Sequence, residues 1–180
     1  MKEYILEVKK IIPQTICKKI ISYFDHGYED AGTVGIGTNK NIRNCMTRSL
    51  LSTNTFGEKI CANFVKEKIF KCVDHYRKKH DIMIEEISQL DILKYEKNDF
   101  KAGYKFHKDF GLNCSERHLS ISICLNNEYE GGEFVFDTPS GHYTLPQNVG
   151  DAVIFPSNFM FPHQVNKITK GTRYALIGWV

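Results

Sequence analysis

From residue 82 onward the chain is cut too finely for long helices. Short β-rich runs lie at 82–95, 103–109, 118–125, 133–136, 141–145, 151–155, 162–168 and 172–179. Turn signals stand between them: Lys97-Asn98-Asp99, Asn126-Asn127, Gly131-Gly132, Pro139-Ser140-Gly141, Asn148-Val149-Gly150-Asp151 and Lys170-Gly171. About eight short strands at close spacing predict a sandwich or closed roll of antiparallel strands.

The first half reads differently. Residues 3–12 suggest an opening strand, stopped by Pro13, which suits the first turn of a helix. Ile16, Ile20, Ile21 and Phe24 recur at helical spacing up to Gly27, and Ile60, Phe64, Ile69, Val73 and Tyr76 mark a longer helix from Gly57 to about His80. Between them, Gly32, Gly35, Gly37, Asn39, Asn41 and Asn44 spread turn signals through 27–56, which reads as a long loop of the kind that closes over a site. The expectation is an α+β unit over 1–180, with an N-terminal part at 1–81 and a jelly-roll core at 82–180.

Composition narrows the class. With 180 residues, 42% hydrophobic and 25% charged, the chain has ordinary globular usage, and no apolar run approaches a membrane span. The N-terminus has neither a continuous apolar stretch nor a small-residue cleavage site, so the expected setting is cytoplasmic, or a host cytoplasm for a viral product. The six cysteines form no C-x-x-C pair and are read as reduced thiols. A net charge of +3 is too small to argue for nucleic acid or an anionic membrane as partner. A monomer is expected.

Among seven histidines, only His107 has a carboxylate two residues on, in His107-Lys108-Asp109. On a strand, side chains i and i+2 share a face, so one nitrogen and one oxygen can converge on an ion. His163 is the candidate third ligand. Two histidines and one carboxylate form the facial triad of non-haem Fe(II) oxygenases, with coordination positions left open. The H-x-D spacing alone is weakly specific, and it is equally compatible with a surface strand pair.

Two further strands sharpen the reading. In 172–179, alternation puts Arg173, Ala175, Ile177 and Trp179 on one mostly apolar face, and an inward Arg173 would need an anion, which a planar guanidinium can grip through two bonds. In 119–125, Ser120, Ser122 and Cys124 alternate with large apolar residues and leave space beside them, where a packed core would have bulk. Such space near an arginine and a metal fits a small dicarboxylate.

These pieces keep the order seen in a known family. Tyr95, Gly103-Tyr104-Lys105-Phe106-His107-Lys108-Asp109, Arg117 to Asn126, Gly131-Gly132-Glu133-Phe134, Gly150 to Pro156, His163-Gln164-Val165 and Arg173 to Trp179 resemble the Fe(II)/2-oxoglutarate-dependent dioxygenases, in their prolyl 4-hydroxylase-like branch. The resemblance covers about 90–180. It implies a double-stranded β-helix, or jelly roll, of about eight core strands with two supporting helices. It also implies Fe(II) on His107, Asp109 and His163, and 2-oxoglutarate on Arg173 with help from Tyr95 and room beside Ser120 and Ser122. O2 would be consumed, ascorbate would serve as reductant, and succinate and CO2 would be released as a C–H bond is hydroxylated. The implied substrate is a proline-containing protein or peptide, met by Tyr104, Arg117 and Trp179, with Arg43 or Arg48 as loop contacts.

The sequence departs from the family in places. Strict alternation puts Tyr104 on the face opposite His107, so its role requires a bulge. Cys124 stands where some relatives have a tyrosine. Lys97 and Asn98 widen the gap after Tyr95, and the chain ends just past Trp179 without the extension of longer relatives. A dioxygenase acting on a free amino acid, another side chain or a small metabolite fits the same iron and cosubstrate residues, and a non-catalytic cupin-like metal-binding module is the alternative outside enzymes.

Overall fold

A computed structural model describes residues 1–31, 37–83, 86–96, 102–111 and 114–180. After a 3-10 turn at Lys2–Tyr4, the elements in chain order are β1 (Leu6–Val8), α1 (Gln14–Tyr23), β2 (Glu29–Asp30), β3 (Arg43–Asn44), β4 (Met46–Ser49), α2 (Phe56–His80), β5 (Gln89–Glu96), β6 (Gly103–His107), β7 (Leu119–Cys124), β8 (Tyr129–Gly131), β9 (Phe134–Thr138), β10 (Gly141–Leu145), β11 (Ala152–Pro156), β12 (His163–Val165) and β13 (Ile168–Trp179). One sheet has the order β1-β11-β7-β13-β5-β4-β2, with β8 pairing β13 off that path. The other has the order β10-β9-β12-β6-β3. Every pairing is antiparallel. The result is the expected α+β jelly roll with two helices.

The large sheet is apolar on both faces. Its outer face presents Leu90, Ile92, Ile121, Ile123, Ile154 and Leu176, which pack with Ile20 of α1 and Val65, Ile69 and Cys72 of α2. Its inner face presents Leu93, Tyr95, Ile177 and Trp179, which share a second core with Phe134 and Phe136 of the small sheet. A strand buried on both sides loses the inside–outside alternation, and all six residues of β7 are buried accordingly.

α2 owes its start to a reciprocal cap. Thr55 Oγ1 accepts from the Glu58 amide at 3.2 Å, and Glu58 Oε2 accepts from the Thr55 amide at 3.0 Å. The other Glu58 oxygen pairs with Arg48 of β4, whose Nη1 also donates to the His26 carbonyl at 2.8 Å. These bonds dock the helix start on the sheet. At the other end Asp81 takes a left-handed turn at φ 50°, behind a last turn carrying Arg77, Lys78, Lys79 and His80, whose charges suit the negative end of the helix dipole.

Several boundaries differ from the sequence expectation. The opening strand stops at Val8, because Lys10 turns left-handed at φ 52°. Pro13 sits just before α1 as its N-cap. The 27–56 segment is not one loop: β2, β3 and β4 lie in it, with β4 pairing β5 and β3 pairing β6. Gly32 and Gly35 of that segment lie outside the described residues, as does the Lys97-Asn98-Asp99 turn. β5 begins at Gln89, later than the run from 82 suggests, and β8 adds a short strand against β13. Among the described residues no helix is long and apolar enough to cross a membrane. All six cysteines are free thiols.

Candidate active site

His107 ends β6, Asp109 follows it by two residues, and His163 opens β12. The register places His163 directly opposite His107 across the two strands. One ligand atom from each of the three residues lies within 4.8 Å of the others. Backbone carbonyls set both rings: His107 Nδ1 meets Lys105 O at 2.8 Å and His163 Nδ1 meets Phe161 O at 3.0 Å. A nitrogen that donates to a carbonyl leaves the other as a lone-pair ligand. Both Nε2 atoms accordingly face the carboxylate, His107 at 3.5 Å from Oδ1 and His163 at 3.6 Å from Oδ2.

Burial acts on each group. It pushes the His163 imidazole down to about 4, with neighbouring His107 adding to the effect and Asp109 opposing it. At neutral pH His163 is therefore uncharged, the form that binds a metal. Burial by itself would raise the Asp109 carboxyl, but the two histidines and Ser120 outweigh it and hold the carboxyl well below its ordinary range. Two imidazoles and one carboxylate fit a divalent ion of the Fe(II) type and leave ligand positions open.

Ser120 was expected to border a cosubstrate. Its Oγ donates to Asp109 Oδ2 at 2.6 Å and is paired with Ser157 Oγ at 2.8 Å, so it orients a candidate metal ligand. Ser122, two residues on, does line the pocket. The pocket beside the triad has a volume of about 270 Å³ and lies between the sheets.

Arg173 closes one end of this pocket. It is 1% exposed, directly opposite Tyr95 across β13 and β5, with its guanidinium 5.3 Å from the Tyr95 ring. Nη2 donates to Gln147 Oε1 at 2.7 Å, while Nε is buried without a hydrogen-bond partner. A buried guanidinium with an unmet donor calls for an anion, and the carboxylate of a small diacid fits that need. The Tyr129 hydroxyl interacts with Arg173 and lies 3.9 Å from Cys124 Sγ.

The other end is built differently. The Arg117 guanidinium stacks 4.0 Å over the Trp179 ring and donates to the Asp109 carbonyl at 3.2 Å and to Gln89 Oε1 at 2.6 Å. Tyr104 reaches the pocket by the bulge its role required: His107 pairs with His163 but Tyr104 pairs with Val165, so three residues of β6 span two of β12. Its ring then stacks on His107, with centroids 3.4 Å apart. Arg43 lines the pocket and lies 4.9 Å from the Tyr104 ring. Arg48 does not, because Glu58 and His26 hold it at the helix start.

Sequence reasoning missed Thr47, Gln89, Asp91, Tyr129 and Gln147. For Gln89 and Asp91 a signal existed: they precede Tyr95 by six and four residues on one strand, so they share its face.

Comparison with known proteins agrees with this geometry. Residues 90–180, just over half the chain, match the family model described as the 2OG-Fe(II) oxygenase superfamily. A PKHD-type hydroxylase from Idiomarina loihiensis is 24% identical over 184 residues, an alignment covering 98% of this chain and 77% of the relative. Among solved structures, a prolyl hydroxylase from Trichoplax adhaerens, in complex with a hypoxia inducible factor peptide, has a TM-score of 0.77 at 15% identity. That match covers 98% of this chain and 83% of that one. A Pseudomonas putida prolyl-4-hydroxylase gives 0.76 at 16% identity, covering 98% and 91%. At such identities the solved structures speak for a shared fold, and the matched segment holds all three metal-ligating candidates and Arg173. The chain belongs to the 2OG-Fe(II) oxygenase superfamily.

Proposed function

We propose that this oxygenase hydroxylates a proline within a protein or peptide. The observation that carries the reading is that Arg117, stacked on Trp179, and Tyr104 line the pocket beside the triad. Flat aromatic and guanidinium surfaces of this kind suit a ring held among peptide groups. The structural relative solved with a peptide is a prolyl hydroxylase, which supports the same reading.

His107, Asp109 and His163 would hold Fe(II), and Arg173 would take the distal carboxylate of 2-oxoglutarate, with Tyr95 and Tyr129 beside it. Bound together with O2, these groups supply oxidative decarboxylation to succinate and CO2 and insertion of oxygen into a C–H bond. The protein's part is positional. Ser120 fixes the Asp109 carboxylate, the backbone carbonyls of Lys105 and Phe161 fix the imidazoles, and the inner core around Phe134 and Phe155 keeps bulk water from the His163 side. Ascorbate as reductant, a monomeric state and a cytoplasmic setting belong to the same proposal.

The test is succinate formation from 2-oxoglutarate with Fe(II) and ascorbate, with and without a panel of proline peptides, followed by mass spectrometry. A gain of one oxygen on proline, coupled to succinate, supports the reading. Succinate with every peptide unmodified moves the substrate to a free amino acid or small metabolite.

A further inference from the structure

Asp91 is a carboxylate buried in the pocket wall that the metal and cosubstrate residues do not use. It is 4% exposed and shares the pocket with the triad. Its place along β5 decides what it can touch. Tyr95, four residues on, stands opposite Arg173, whereas Asp91 stands opposite Ile177 and its neighbour Gln89 opposite Trp179. Four strand residues span roughly 13 Å, far longer than a five-carbon diacid held at Arg173. Asp91 therefore belongs to the substrate end.

Its partners leave it unsatisfied. Gln89 Nε2 donates to Asp91 Oδ2, and the other end of that amide is occupied because Arg117 Nη2 donates to Gln89 Oε1 at 2.6 Å. Gln89 is thereby fixed with its nitrogen toward Asp91. Thr47 also hydrogen-bonds the Asp91 carboxyl, and among the described residues no lysine, arginine or histidine forms an ion pair with it, Arg43 and Arg117 acting on it through their charge. A carboxylate has about four acceptor sites, so Gln89 and Thr47 leave part of its capacity open. One unmet donor lines the same wall: Trp179 Nε1 is buried without a hydrogen-bond partner. Burial of such a group is costly unless a ligand completes it.

An acceptor with spare capacity beside the unmet Trp179 donor is the complement of an amide, which offers one N–H and one C=O. Resting on the prolyl reading above, we propose that Asp91 is a specificity-determining residue that accepts a hydrogen bond from the backbone N–H following the target proline, while Trp179 Nε1 and Arg117 donate to a neighbouring carbonyl oxygen. Proline has no N–H of its own in a chain, so the next residue is the nearest source of one.

Trp179 is the chain's single tryptophan and reports binding without turnover. The full chain, loaded with zinc and 2-oxoglutarate, is titrated with acetyl-Gly-Pro-Gly-amide, with the same peptide carrying N-methylglycine after proline, and with free L-proline. The wild type should bind the first at least tenfold tighter than the second. Asp91→Leu should bind both equally weakly, and Asp91→Asn, which keeps an acceptor oxygen, should recover part of the discrimination. Circular dichroism establishes that each variant is folded, and Asp91→Asn alone decides the question if Asp91→Leu does not fold. Wild-type indifference to N-methylation, or an Asp91→Leu chain that still discriminates tenfold, overturns the proposal. If free proline alone shifts the signal and Asp91→Leu abolishes it, the peptide reading falls while Asp91 stands as an acceptor for an ammonium. Silence from every probe in the wild type overturns both.

Discussion

Replacing Arg173 tests the cosubstrate end quantitatively. Its guanidinium is fully enclosed, anchored on one side by Gln147 and left with an unmet Nε on the other. A forked pair with a carboxylate would make two charge-assisted bonds, each contributing about 1.5–3 kcal/mol. Arg173→Lys keeps the charge and one bond. Losing the other at about 1.4 kcal/mol per decade raises the half-saturating 2-oxoglutarate concentration roughly 10- to 150-fold. Arg173→Met removes the charge, and stripping one partner from a buried pair costs about 3–5 kcal/mol, or roughly a hundred- to several-thousand-fold. Folding stability should not fall in proportion, because the variant no longer desolvates a cation. The assay is succinate release against 2-oxoglutarate concentration, paired with the thermal shift that 2-oxoglutarate produces in the metal-loaded chain. Half-saturation within threefold of wild type in both variants would refute the assignment of the distal carboxylate to Arg173.

Three further outcomes are expected. Ser120→Ala removes the hydroxyl that orients Asp109 and should weaken metal binding roughly 10- to 100-fold, read by Mn(II) titration; unchanged affinity would show that Asp109 needs no such support. In the metal-free chain, His163 stays neutral down to about 4 because burial disfavours its charge, whereas in the unfolded chain it takes up a proton below its ordinary 6.5. Stability should thus be insensitive to this group above pH 6.5 and fall by about 1.4 kcal/mol per unit below it, to about 3 kcal/mol by pH 4. Urea midpoints at several pH values should show a shallower fall in His163→Gln, and identical slopes would contradict the argument. Gly150 sits at φ +82°, where an added Cβ would lie 1.9 Å from the Ile12 carbonyl oxygen. Gly150→Ala should cost at least about 2 kcal/mol and lower Tm by roughly 4–8 °C; an unshifted melt would mean that the turn relaxes freely.

What could be read beforehand follows from how strongly each feature repeats. The H-x-D pair, the Arg173 face of β13 and the α2 pattern each rest on several residues in register, and each reappears in the structure. The two-residue strands β2 and β3 are shorter than any alternation, so glycines and asparagines dominated the reading of 27–56. Tyr104 shows the opposite case: period two puts it on the wrong face, and one extra residue in β6 brings it round to His107. Ser120 lies in the expected cluster, but its bond to Asp109 was not legible, because spacing shows which way a hydroxyl points and not which acceptor it finds. Asp91 escaped notice because it sits in a run read only as β-rich, with no face assigned to its residues.

The large sheet works as a partition between two tasks. Along Leu90-Asp91-Ile92-Leu93-Lys94-Tyr95, odd positions look into the chemistry and Leu90 and Ile92 look into the helix-backed core. Neighbours in sequence are thus insulated from one another by the thickness of a backbone. Substitutions at 89 and 91 can retune which molecule is accepted while the packing at 90, 92, 93 and 95 goes on holding the fold. Substrate preference in such a chain can therefore drift by single steps without each step first having to be rescued by a compensating change in stability.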